Sequence, residues 1–261
     1  MGNGKSWKDR GYHQGVIFLR LDRFLANSKI GTRKEVKRLI KAGVVKVNGK
    51  IVKDPSFDVK KNDTVEVKGN RVEPPRKVYI VLNKPKGFVS STRDSKDPTI
   101  VDLIDHPYSE DLFPVGRLDK DTEGLIILTN DGEFAHKVIS PKYAVEREYL
   151  VRVDKRVNDK VLGELTNGVK LRDGHIAKVK KVKILSKDGR KISLVLTEGK
   201  YHEVKRMLSA VGLKVLSLKR IRLGNLKLDE NIPPGGWREL SEKEVASILE
   251  GGDSEKNKNS T

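Results

Sequence analysis

The 261 residues suffice for one large domain, or for a small domain beside a medium one. They carry 54 Lys and Arg against 36 Asp and Glu, a net charge of +18, with 36% hydrophobic residues and no cysteine. The hydrophobic share supports a sizeable core and excludes general disorder. The missing cysteine excludes disulfides, thiolate zinc sites, iron–sulfur clusters and cysteine nucleophiles. No apolar run approaches the roughly 18–20 residues that cross a bilayer. Met1–Gly15 is polar, with no stretch a signal peptidase could use. The expectation is a soluble, basic, cytoplasmic protein with no membrane partner.

The charge is uneven. Residues 1–76 hold 19 Lys and Arg against 8 Asp and Glu, whereas residues 77–261 hold 35 against 28. Self-repulsion of this size is tolerated most easily against a polyanion, nucleic acid above all. A Lys-rich solvated surface of the heat-adapted kind is the plainer alternative.

In chain order, residues 1–17 are expected to form a disordered basic tail. Leu21, Phe24 and Leu25 have the spacing of a short helix. Thr32-Arg-Lys-Glu35 is a capping box opening a second helix. On that helix Val36, Leu39 and Ile40 form the inner stripe and Gly43 the stop. Val44–Val47 and Ile51–Val52 flank Asn48-Gly49, a strong hairpin signal. Val65 and Val67 alternate with charged residues as a further strand. Arg71–Lys77 contains Pro74-Pro75 and reads as a stiff linker, placing a domain boundary after residue 76.

Beyond it, Val78–Asn83 and Leu125–Leu128 read as buried strands, and a helix after Asn130–Glu133 stops at Ser140-Pro141. Tyr149–Val153 is strand-like and Val157–Leu165 helical, ending at Gly168. Ile176–Leu185 and Ile192–Leu196 read as strands joined across Asp188-Gly189. Tyr201–Val211 is helical, with Val204, Leu208 and Val211 inward and Gly212 as terminator. Strands Val215–Leu218 and Leu226–Leu228 precede a helix at Ser241–Leu249, and 251–261 should fray. Strands and helices interleave without a strict βαβ rhythm. The second domain, 77–250, is therefore expected to be α+β with a mixed, largely antiparallel sheet.

The five histidines fit no metal-ligand spacing and read as surface or hydrogen-bonded core residues. Gly116–Gly124 lacks the Lys-Ser/Thr ending of a phosphate-binding loop. Yet Val115-Gly-Arg-Leu-Asp-Lys-Asp-Thr-Glu-Gly124 packs three acids and two bases into a turn that enters the apolar strand Leu125–Leu128. A rigid strand behind a charged loop suits catalytic carboxylates. A polar hairpin with local ion pairs would carry the same residues.

Gly116-Arg-Leu-Asp-x-x-Thr-x-Gly-Leu-x-x-Leu-Thr-Asn-Asp-Gly132 resembles the active-site motif of the RsuA and RluB group of pseudouridine synthases. Leu82–Gly87, Glu146–Val151 and Glu198–Leu208 agree with it in order. Residues 20–67, within an expected domain 18–76, resemble the alpha-L RNA-binding module of a ribosomal small-subunit protein and tyrosyl-tRNA synthetase. The resemblance implies that Asp119 is the catalytic carboxylate, paired with a basic residue at Lys205 or the adjacent Arg206. At the pairing position Lys acts as a point charge where some relatives have the Arg fork. Arg206 would otherwise engage phosphate or core carboxylates. Tyr149 matches the family tyrosine that stacks on the target base. Arg117 would contact the RNA backbone or fill the gap left by a flipped nucleotide, unless it serves as a local partner for Asp121. Arg33, Lys34, Lys37, Arg38 and Lys41 form the implied phosphate-reading face.

The implied reaction breaks the C1′–N1 bond of uridine, turns the uracil and rejoins it through C5. No redox change occurs and nothing leaves the site, so no cofactor or metal is needed. The Tyr201–Met207 segment and Ser90-Ser-Thr92 lie nearer the RsuA branch, which modifies 16S ribosomal RNA, than the large-subunit branch. The expected partner is 16S RNA or a small-subunit assembly intermediate, met by a monomer. A silent ribosome-assembly factor would explain the charge but not Asp119 in its full motif. A hydrolytic glycosidase would call for a second carboxylate and an activated water.

Overall fold

The computed structural model describes residues 19–60 and 62–250. The chain forms two compact units and passes from one to the other between Arg76 and Lys77. The expected tails, 1–17 and 251–261, lie outside the described residues.

The first unit begins with strand β1 (Leu19–Arg20), helix α1 (Leu21–Asn27) and helix α2 (Arg33–Lys41). Thr32 and Glu35 close a reciprocal capping box at the start of α2. Strands β2 (Val45–Val47), β3 (Lys50–Ile51), β4 (Asp58–Val59), β5 (Val65–Val67) and β6 (Asn70–Val72) follow. Asn48 and Gly49 both take positive φ, which turns β2 back on β3. Leu21, Leu25, Val36, Ile40, Val45 and Val65 bury a small core. The linker is shorter than expected: Arg71 and Val72 belong to β6, and Val72 is buried. The cause is a second two-residue turn at Lys68-Gly69, both at positive φ. Lysine at the first position hides that turn from composition.

The second unit is built on one large sheet. It contains β7 (Tyr79–Lys84), β8 (Phe113–Pro114), β9 (Glu123–Thr129), helix α3 (Gly132–Ile139) and β10 (Arg147–Val153). Next come α4 (Asp159–Asn167), the short pair β11 (Val169–Lys170) and β12 (Ile176–Ala177), β13 (Lys181–Ile184), β14 (Lys191–Leu196) and α5 (Glu203–Ala210). The chain closes with β15 (Val215–Leu223), β16 (Leu226–Lys227), β17 (Trp237–Glu239) and α6 (Glu242–Glu250). The strand order is β13-β14-β10-β15-β9-β7-β17, with β16 on β15 and β8 on β9. The β15–β9 pair is parallel and the others antiparallel. The fold is α+β with the mixed, largely antiparallel sheet that the sequence implied.

Both faces of the sheet are covered, which is why β7 and β9 read as continuous apolar runs. Ile80, Leu82, Ile126 and Leu128 pack with Leu165 of α4 and Met207 and Leu208 of α5. Val81, Leu125 and Ile127 pack on the opposite side with Phe134 and Val138 of α3 and Ile248 of α6.

Several boundaries differ from the sequence reading. Ile176–Leu185 is two strands: β12 pairs with β11 and β13 with β14. The break lies where Val179 turns to donate its amide to Leu165 O. Helix α4 starts after Val157 because the Asn158 side chain caps it. Helix α5 starts at Glu203, since His202 is left-handed at φ 49°. β15 runs on past Leu218 to Leu223. Strands β8 and β17, two and three residues long, are too short to show periodicity.

Candidate active site

Asp119 lies on the loop between β8 and β9, and the central sheet clamps that loop from below. Ser90 Oγ donates to Leu118 O at 2.7 Å and accepts from Leu118 N at 3.0 Å. Thr122 N donates to Asp119 O at 3.0 Å. Beneath them the Lys84 side chain, fully buried, sends its ammonium to the carbonyls of Thr122 (2.8 Å), Asp119 (3.0 Å) and Pro85 (3.1 Å). Burial pushes the Lys84 ammonium down to about 8, against the pull of Asp121, Asp119 and Glu123.

Above the loop, the start of α5 supplies Lys205 and His202. Lys205 Nζ stands 2.9 Å from Asp119 Oδ2 and 2.6 Å from Asp121 Oδ1. Burial works against the Lys205 charge, but the bonds to Asp121 and Asp119 outweigh it and raise its proton affinity. The same bond holds the Asp121 carboxyl below its ordinary value. His202 Nε2 lies 3.3 Å from the other Asp119 oxygen, Oδ1. The carboxylate therefore sits between an ammonium and an imidazole.

Asp119, Arg117, Tyr149, Leu196, His202, Lys205 and Leu218 line one cleft. Tyr149, on β10, is only 8% exposed. Its hydroxyl has no hydrogen-bond partner among the described residues. Arg117 is exposed on the wall and likewise unpaired among them, so it is not the local partner of Asp121. Arg206 points away from Asp119 and pairs with Asp173. On α5 Lys205 and Arg206 are successive residues and face different ways, Lys205 toward Asp119 and Arg206 toward Asp173. Arg33, Lys34, Lys37, Arg38 and Lys41 are all exposed on α2, with Lys37 3.9 Å from Asp22.

Sequence reasoning missed Lys84 and His202. Lys84 was visible within Asn83-Lys-Pro-Lys-Gly87, but its burial depends on the loop folded above it. His202 was read as structural, and its place three residues before Lys205 was the available signal. One metal-like grouping occurs among the described residues, His175, Glu198 and Glu203. Lys200 already serves it, with Nζ 2.9 Å from His175 Nδ1 and its backbone amide on Glu203 Oε2.

Residues 78–210 match the RNA pseudouridylate synthase family, and residues 19–65 match the S4 domain. The chain belongs to the RNA pseudouridylate synthase family. This synthase is 47% identical over 232 residues to an uncharacterized RNA pseudouridine synthase of Aquifex aeolicus, covering 88% of this chain and 96% of the relative. It is 38% identical to the ribosomal small subunit pseudouridine synthase A of Vibrio parahaemolyticus, covering 88% and 99%. A solved pseudouridylate synthase superposes with a TM-score of 0.62 at 35% identity, covering 88% of this chain and 99% of that one. The synthase is an isomerase, and no described helix is long and apolar enough to cross a membrane.

Proposed function

We propose that this synthase converts one uridine of small-subunit ribosomal RNA to pseudouridine, with Asp119 as the reacting carboxylate. The observation that carries the assignment is the Asp119–Lys205 pair at 2.9 Å inside a cleft that also holds Tyr149. A carboxylate enclosed with a substrate loses solvation and tends to protonate unless a cation stands beside it. Lys205 stands beside Asp119 as that cation, and the carboxylate is placed there to serve as nucleophile or proton acceptor. The open Tyr149 hydroxyl sits on the same wall, where its ring can stack on the uracil and its oxygen can relay a proton. Stacking of roughly 1–3 kcal/mol offsets much of the cost of extruding the base.

Arg117 supplies an unpaired cation at the wall for a flanking phosphate. The exposed face of α2 adds non-specific phosphate affinity, which positions the RNA and leaves the choice of uridine to its shape. The small-subunit target is supported by relatives named for it at 36–38% identity across 88% of this chain.

The test is carbodiimide mapping of 16S and 23S transcripts and of assembly particles after incubation with the protein. A new pseudouridine in 16S RNA, lost with Asp119→Asn while binding persists, is expected. Modification of 23S RNA alone overturns the target, and product formation by Asp119→Asn overturns the catalytic assignment.

A further inference from the structure

Beside the catalytic cleft stands a side chain that the chemistry leaves unused. Tyr201 is 76% exposed, the most exposed of the large hydrophobic residues described. Its ring lies stacked on His202 at 3.8 Å between centroids and 16° between planes. His202 in turn touches Asp119 Oδ1. Tyr201 makes no other ring contact among the described residues. An aromatic ring left in water forgoes its burial energy, and here its backbone is nonetheless tightly held. Lys200 N donates to Glu203 Oε2 and Glu203 N to Lys200 O. Arg206 N donates to His202 O, and Arg206 Nη1 to Tyr201 O at 3.4 Å. The left-handed φ of His202 sets the turn that lays the two rings face to face.

We propose that Tyr201 is an outer stacking platform for the nucleobase adjoining the extruded uridine, resting on the RNA-modifying reading above. Three features favour a base over other occupants. A flat π-face stacks on any nucleobase without regard to its sequence. The imidazole beneath links the platform to the carboxylate, since His202 stacks on Tyr201 at 3.8 Å and lies 3.3 Å from Asp119 Oδ1. The unpaired Arg117 on the cleft wall offers a cation for the intervening phosphate. Tyr201 thus acts in substrate positioning, outside the reacting atoms.

The experiment compares full-length Tyr201→Ala and Tyr201→Phe with wild type on 16S transcript, measuring affinity, single-turnover product formation and thermal stability. Inorganic polyphosphate serves as a base-free competitor. Loss of the ring should weaken RNA affinity roughly ten- to hundredfold. The single-turnover rate at saturating RNA should stay within about threefold. The Phe variant should behave as wild type, and polyphosphate affinity and melting temperature should be unmoved in both. RNA affinity unchanged in Tyr201→Ala overturns the proposal, as does a Phe variant as weak as Ala or an equal loss of polyphosphate binding. A wild-type protein that binds 16S transcript but makes no pseudouridine refutes the functional reading instead, and the affinity comparison still decides the platform.

Discussion

Gly124 separates the Asp119 loop from the body of β9, and alanine there should damage both stability and turnover. The residue has φ +101° and lies between Arg220 of β15 and Lys84 of β7 in the sheet. A Cβ at this position would stand 2.2 Å from Arg220 O and 2.9 Å from Arg220 N, both backbone atoms that cannot swing aside. Relief requires β9 and β15 to part by roughly 1 Å. The left-handed backbone costs alanine about 1–2 kcal/mol, and overpacking adds about 1–3 kcal/mol. At about 2–4 °C per kcal/mol for a domain of this size, Tm should fall by roughly 5–15 °C. Because Asp119 sits just before β9 and Lys205 on the helix before β15, a shift of about 1 Å should also lower turnover by about a hundredfold. Circular dichroism melting and release of label from C5 of uridine, assayed well below both transitions, measure the two effects. Gly163→Ala, in the interior of α4 with open space around it, serves as the control and should gain about 0.5–1 kcal/mol. A Gly124→Ala protein melting within about 2 °C of wild type would refute the close-approach argument.

Lys205→Met should cut the single-turnover rate by about 10²–10³ with little change in RNA affinity; a rate within about tenfold of wild type would remove Lys205 from the site. Replacing Lys37, Arg38 and Lys41 of α2 together by alanine should flatten the salt dependence of RNA binding by about 2–3 in log–log slope. An unchanged slope would show that the α2 face does not meet phosphate. The bonds from Arg238 and Ser241 hold the Glu244 carboxyl down to about 2, from an ordinary value of 4.5. This lowered acid stabilises the fold above pH 4.5, and the contribution disappears as pH falls toward 2. Urea titrations should show wild type more stable than Glu244→Gln at pH 7, with the gap closing below the ordinary carboxyl value; a gap constant with pH would contradict the pairing.

Much of the local architecture was legible because its causes are local. Thr32 and Glu35 lie three residues apart and cap α2 with their own side chains, and Asn48-Gly49 supplies the positive φ its hairpin needs. The Lys68-Gly69 turn was hidden, although its backbone is the same, because lysine does not signal a left-handed residue. The apolar runs of β7 and β9 announced strands, and the structure shows both faces of the sheet covered. Their neighbours, and the division of 176–185 between two sheets, were settled by pairing across the sheet.

The same division holds at the site. The sequence alone determined that a charged loop carrying Asp119 runs into a buried strand, and that Lys205 and Arg206 lie together on a later helix. The order of side chains along a strand or helix is a short-range property, written in spacing and caps. Only the tertiary structure decided that Lys205, and not Arg206, meets Asp119, that Lys84 is buried under the loop, and that His202 closes its other side. Those contacts require the parallel pairing of β9 with β15, which brings the loop and α5 together from distant parts of the chain. Burial and the accompanying loss of hydration, which set the charge on Lys84, arise only once that sheet has closed.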